Sequence, residues 1–173
     1  MKYIMAYLFA ALLLSARINT RQKQSPKLYK LTNGRIQYSI DAGASWEKLK
    51  LPFNNATAFN YDAKAPERIL AGTTAMVYRS SNGGATWHAV LAGSKTFTPQ
   101  TFSVSQKNPF RMYCAGTNGQ GGTQMTEVYQ SMDGGVNWHR VMAAKQPIAT
   151  LHIEPDSPSQ KILFSGTQTE GGK

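Results

Sequence analysis

The chain has few residues whose types suit catalysis: nine Asp and Glu, three His and one Cys in 173 residues. Hydrolysis of a glycosidic bond needs two carboxyl groups facing one cleft, one as acid and one as base or nucleophile. Asp41 and Asp133 fall in a repeated turn, and Asp62, Glu154 and Asp156 fall in proline-bearing turns, so loop roles are expected for all five. Glu47, Glu67, Glu127 and Glu170 have no motif around them. No catalytic residue is therefore assigned. His88 and His139 occupy equivalent repeat positions and His152 stands alone, so no metal-ligand spacing exists and no metal or cofactor is implied. Cys114 lies in the apolar run Arg111-Met112-Tyr113-Cys114-Ala115-Gly116 and is expected to be a buried strand residue. Gly119-Gln120-Gly121-Gly122 lacks the Lys-Ser/Thr of a phosphate loop and reads as a lip within an insertion at 118–126. Asn55-Ala56-Thr57 matches the short glycosylation pattern.

The stronger signal is repetition. Ser39-Ile40-Asp41-Ala42-Gly43-Ala44-Ser45-Trp46 aligns with Ser80-Ser81-Asn82-Gly83-Gly84-Ala85-Thr86-Trp87 and with Ser131-Met132-Asp133-Gly134-Gly135-Val136-Asn137-Trp138. A second element recurs out of phase. Arg68-Ile69-Leu70-Ala71-Gly72-Thr73, the run 111–117 and Lys161-Ile162-Leu163-Phe164-Ser165-Gly166-Thr167 each follow a polar turn carrying Pro. One unit thus reads as strand, Pro-turn, apolar strand ending in Gly-Thr, short loop, strand into the box, and a strand begun by Trp. Four short strands per repeat is the arithmetic of a propeller blade. The box is expected to be a hairpin turn: Gly43, Gly84 and Gly135 supply positive φ, and Asp41, Asn82 and Asp133 accept backbone N–H bonds. Ser39, Ser80 and Ser131 open the turn, and Trp46, Trp87 and Trp138 bury a large ring where strands meet. All twelve are expected to be structural.

These residues resemble the Asp-box (BNR) repeat, most nearly the sortilin and xyloglucan-hydrolase type, and also the photosystem II assembly-factor propellers. The resemblance covers residues 28–173 and implies an all-β propeller fold. The sialidase Arg-Ile-Pro signature is absent. By this count residues 28–52 are a partial unit, 53–93 and 94–145 are complete, and 146–173 open a fourth. About three and a half units, short of the four to eight blades of a ring, imply a run of blades from a longer protein, a ring completed by another copy or another protein, or an open array whose edges a partner covers.

Net charge is +10, and the first fifty residues hold nine Lys and Arg against two acids. Lys2 precedes the apolar stretch Tyr3–Leu14, so residues 1–16 read as a signal peptide or a membrane anchor, with 17–27 a basic linker. Arg17, Arg21, Lys23, Lys27 and Lys30 are the candidates for contact with an anionic surface. No nucleic-acid motif or basic-aromatic platform appears, so that partner is disfavoured. The reading is a membrane-anchored or extracytoplasmic scaffold that binds a larger protein complex. The alternative is part of a secreted xyloglucanase-like glycoside hydrolase, with polysaccharide as partner.

Overall fold

The computed structural model describes residues 27–92, 97–120, 123–144, 148–153, 156 and 162–166. The apolar segment 1–16, the linker to Pro26 and the candidates Arg17, Arg21 and Lys23 lie outside the described residues. So do Glu154, Glu170 and the Gly121-Gly122 tip.

All regular structure among the described residues is antiparallel β. The first sheet joins β1 (Leu28–Thr32), β2 (Arg35–Ser39) and β3 (Glu47–Lys48). The second joins β4 (Ala58–Asp62), β5 (Ala65–Thr73), β6 (Met76–Ser80) and β7 (His88–Ala92). The third joins β8 (Phe97–Val104), β9 (Met112–Gln120), β10 (Thr123–Ser131) and β11 (His139–Ala144). A fourth begins with β12 (Ile148–Ile153) paired to β13 (Ile162–Gly166). Each sheet is a meander, so alternate connections gather at opposite ends. The Pro-turns and the boxes share one end. The second-to-third-strand hairpins and the links between sheets share the other.

Alternation along the strands gives the second and third sheets two apolar faces each and the first sheet one. Tyr29 and Ile36 of the first sheet pack with Ile69 and Ala71 of the second. Leu70 and Val77, on the second sheet's other face, pack with Phe102, Met112 and Cys114 of the third. Tyr113, Ala115 and Val128 form a further cluster on the far side of the third sheet. The cores therefore lie between sheets, as propeller blades require. Gly72 permits the close approach of the third sheet, and Gly116 that of the paired strand β8 within its own sheet. A Cβ at Gly116 would stand 2.2 Å from the Thr98 carbonyl oxygen, and one at Gly72 would stand 2.5 Å from Pro99 Cβ.

Three features differ from the sequence reading. The regular strands start at His88 and His139, one residue after the box Trp, because the indole is used within the turn. The insertion at 118–126 lengthens the β9–β10 hairpin in register, Gln120 opposite Thr123, and is not an irregular lip up to that pair. Finally, matching β5 to β9 on Gly-Thr is one residue out of step with the pairing set by the boxes. Ser80 pairs Ile69 and Ser131 pairs Met112, which places Gly72 against Ala115. A register shift between Pro99 and Thr101 in β8 accommodates the extra residue.

Candidate functional site

The box turns are built alike. In the third, the Ser131 hydroxyl donates to Asp133 Oδ1 at 2.8 Å and accepts the Gly135 N–H at 2.9 Å. Asp133 Oδ1 also accepts the N–H groups of Val136 and Asn137, at 3.0 and 2.9 Å. Trp138 Nε1 closes the turn on the Gly135 carbonyl at 3.1 Å. Ser39, Asp41, Gly43 and Trp46 repeat this arrangement, as do Ser80, Asn82, Gly84 and Trp87. Two successive positive φ angles are needed: 69° and 87° at Gly83 and Gly84, 74° and 84° at Gly134 and Gly135. The first box places Ala42 there at 58°, ahead of Gly43 at 95°.

These bonds favour the charged carboxylate. The Asn137 N–H and side-chain amide hold Asp133 down at about 2, and the hydroxyls of Ser39 and Ser45 hold Asp41 lower still. A turn so saturated has no spare acid for chemistry.

The boxes also join sheets. The Gly83 N–H donates to the Glu67 carbonyl and the Gly134 N–H to the Phe110 carbonyl, each at 2.9 Å, tying each box to its own Pro-turn. Arg79 Nε reaches from β6 to the Gly134 carbonyl at 2.8 Å. At the equivalent junction before it, Lys27 Nζ and Tyr29 Oη approach the Gly83 carbonyl. Asp156 does the same for the fourth sheet. It accepts from the Ser105 hydroxyl and from the N–H groups of Gln106 and Lys107, which pull its pKa down.

Two further acids are engaged in similar ways. Glu47 accepts from the Tyr38 hydroxyl. Glu127 is buried, pairs with Arg140 Nη1 at 2.9 Å and accepts the Tyr129 hydroxyl at the same distance. Burial first, and that carboxylate second, push Tyr129 up to about 12. Sequence reasoning missed this pair because Glu127 and Arg140 are thirteen residues apart on strands whose register only the pairing reveals. Cys114 is fully buried, and burial pushes its thiol up.

A concavity lies between the second and third sheets at the box end. This groove, open to solvent, is lined by Asn60, Asp62, Lys64, Arg68, Ser105 and Gln106 among others. It shares Asn60, Asp62, Arg68 and Val104 with a smaller pocket that reaches Arg79 and Gly134. Asp62 accepts the Lys64 N–H at 2.8 Å and stands 4.0 Å from Arg68 Nη1. Arg68 also lies over the Phe110 ring, 5.8 Å from its centroid. Among the described residues the groove offers amide, guanidinium, ammonium and hydroxyl groups and one carboxylate, a set that suits binding of a hydroxyl-rich ligand. None of its residues was singled out from sequence as a ligand contact. The Pro-turn alignment alone places Asp62 and Ser105 at equivalent strand ends. Among the described residues no cluster of His, Cys, Asp or Glu could hold a metal. No helix among them is long and apolar enough to cross a membrane.

Of the basic candidates, the structure places Lys27 with its Nζ 4.2 Å from the Tyr38 ring centroid and Lys30 with its Nζ 4.0 Å from that of Trp46.

No family profile and no curated protein matches the chain. Solved structures do. An ancestral GH74 enzyme superposes with a TM-score of 0.62 at 17% identity, over 75% of this chain and 19% of that one. The GH74 xyloglucanase from Xanthomonas campestris superposes with a TM-score of 0.56 at 16% identity, over 82% of this chain and 24% of its own. The chain thus spans about a fifth to a quarter of the length of these enzymes, and what it shares with them is the fold: consecutive four-stranded blades of a β-propeller.

Proposed function

We propose that the chain is a run of Asp-box blades from a secreted, xyloglucanase-like propeller, and that these blades bind and frame a neutral polysaccharide. The observation that carries this reading is the likeness to GH74 enzymes over three quarters of the chain. The polar groove between the second and third sheets supports it, since Asn60, Lys64, Arg68 and Gln106 present hydrogen-bonding groups along one side-by-side pair of turns. Hydrolysis is not assigned to the described residues, because their carboxylates are held by turns or ion pairs and only the exposed Glu67 is left over.

Affinity electrophoresis through gels containing xyloglucan tests the proposal. Retardation relative to a polysaccharide-free gel is expected, weakened by Arg68→Ala. Release of reducing sugar by the chain on its own is not expected. Equal mobility in both gels overturns the reading. A second reading is favoured by that same engagement of all the described carboxylates but Glu67: a non-catalytic scaffold in a larger protein complex. Native mass spectrometry of material from its own source, showing a stable multiprotein assembly without polysaccharide affinity, would replace the first reading with the second.

A further inference from the structure

The first sheet has one face that its counterparts do not. Strand pairing puts Leu28, Lys30 and Thr32 of β1, Arg35, Gln37 and Ser39 of β2, and Lys48 of β3 on the side turned away from the second sheet. The box register equates Leu28, Lys30 and Gln37 with Ile69, Ala71 and Tyr78 of the second sheet. In the third sheet the equivalents are Met112, Cys114 and Tyr129. In those two sheets this face is apolar and packs on the sheet before it. In the first sheet it carries three bases and an amide, and no acid lies opposite them; Glu47 is on the other side, bound to Tyr38.

The box tryptophans repeat the contrast. Trp87 and Trp138 pack against the cores between sheets, whereas the ring of Trp46 is covered by the Lys30 ammonium. Among the described residues Lys30, Arg35 and Lys48 have no ion pair. Beside the β1–β2 turn a pocket is lined by Arg35 and Lys48 of this face and by the amides Asn54 and Asn55, with Leu49, Leu51 and Phe53 of the core toward the second sheet behind them.

We propose that this face docks on an anionic lipid bilayer, with a headgroup phosphate taken up between Arg35 and Lys48. The face is polar and basic where burial against another blade calls for apolar side chains. Charge complementarity selects an anionic occupant, and a second copy of this chain is a poor one because its net charge is itself +10. The bilayer is favoured over other polyanions by the sequence leading into β1. Arg17, Arg21 and Lys23 stand between the apolar Tyr3–Leu14 stretch and Leu28, so an apolar segment, a basic segment and a basic face follow one another in the chain. The phosphate pocket adds Arg35 and Lys48 to the contact residues expected from sequence, and Lys30 is common to both sets.

Co-sedimentation of the full chain with vesicles tests this, comparing pure phosphatidylcholine with vesicles carrying a third phosphatidylglycerol. The apolar N-terminus adds equally to both, so the ratio of the two partition coefficients is read. At low salt each base near the surface is worth about fivefold in partitioning, and the triple variant Lys30→Gln, Arg35→Gln, Lys48→Gln is expected to lower that ratio by about a hundredfold. The charge-keeping pair Arg35→Lys, Lys48→Arg is expected to retain it, which separates loss of charge from loss of fold. An unchanged ratio in the triple variant with an unchanged melting curve overturns the proposal. So does retention by an acidic polysaccharide column together with equal partitioning on the two vesicle types, which would identify a soluble polyanion as the partner.

Discussion

Replacing Ser131 by Ala tests the box turn at its most buried point. The residue is fully buried, and its hydroxyl serves two partners that no other group replaces. Deletion leaves the Gly135 N–H, also buried, without its 2.9 Å acceptor, and removes one charge-assisted bond to Asp133. An orphaned buried donor costs roughly 1–3 kcal/mol, and the lost hydroxyl–carboxylate bond adds about 1 kcal/mol, because Asp133 keeps its two backbone donors. The expected loss is about 2–4 kcal/mol, or roughly 5–15 °C in Tm for a chain of this size. Urea unfolding followed by tryptophan fluorescence reads it directly, since Trp138 closes the same turn. Ser81→Ala, at an exposed position of the second box, is the control and is expected to change stability by less than about 0.5 kcal/mol. A Ser131→Ala protein as stable as the control would refute the account of how the turn is held.

Further outcomes follow from the same geometry. Ala42→Gly is expected to stabilise the protein by about 0.5–1 kcal/mol in chemical denaturation, because Ala42 alone of the box residues adopts positive φ with a Cβ. Gly116→Ala is expected to cost more than about 3 kcal/mol by collision with the Thr98 carbonyl, while Gly119→Ala, with nothing near its Cβ site, is expected to be nearly neutral in the same assay. Asp133 has its folded pKa depressed to about 2, so its contribution is present above the ordinary carboxylate pKa and is lost as pH falls from about 4 through about 2. The Asp133→Asn variant, which copies Asn82 of the second box, is expected to show a shallower decline in Tm over that window. Arg140→Ala strands the buried Glu127 carboxylate and is expected to destabilise at neutral pH, with Glu127→Gln in the same chain restoring part of the loss in a double-mutant cycle.

What was legible in the sequence is what repeats. Ser, Asp or Asn, Gly and Trp at fixed offsets specify a turn by local chemistry, and the turn sits where the spacing puts it, between the third and fourth strands of each blade. The apolar runs ending in Gly-Thr specify a second strand crowded enough to exclude Cβ atoms. Register was less legible. The Gly-Thr motif suggests one alignment of β5 with β9 and the boxes impose another, and only the β8 irregularity at Pro99–Thr101 reconciles them. The Glu127–Arg140 pair, the Asp62–Arg68 groove and the Asp156 clasp were hidden for one reason. Each joins residues brought together by pairing or by sheet-on-sheet packing, with no local spacing to announce it. The polar face of the first sheet was half legible: Lys30 stood out as a base, but only the pairing shows that Arg35 and Lys48 share its side.

Hydrogen exchange resolved by peptide mass spectrometry tests the central claim, that the chain forms successive blades pinned by box turns. The account predicts slow exchange for β5 and β9. It also predicts that peptides spanning 80–87 and 131–138 exchange far more slowly than exposed turns such as 62–65, because the box N–H groups are bonded to Ser, Asp and Asn side chains. Box peptides that exchange as fast as an unstructured chain, with β5 and β9 protected or not, would contradict it.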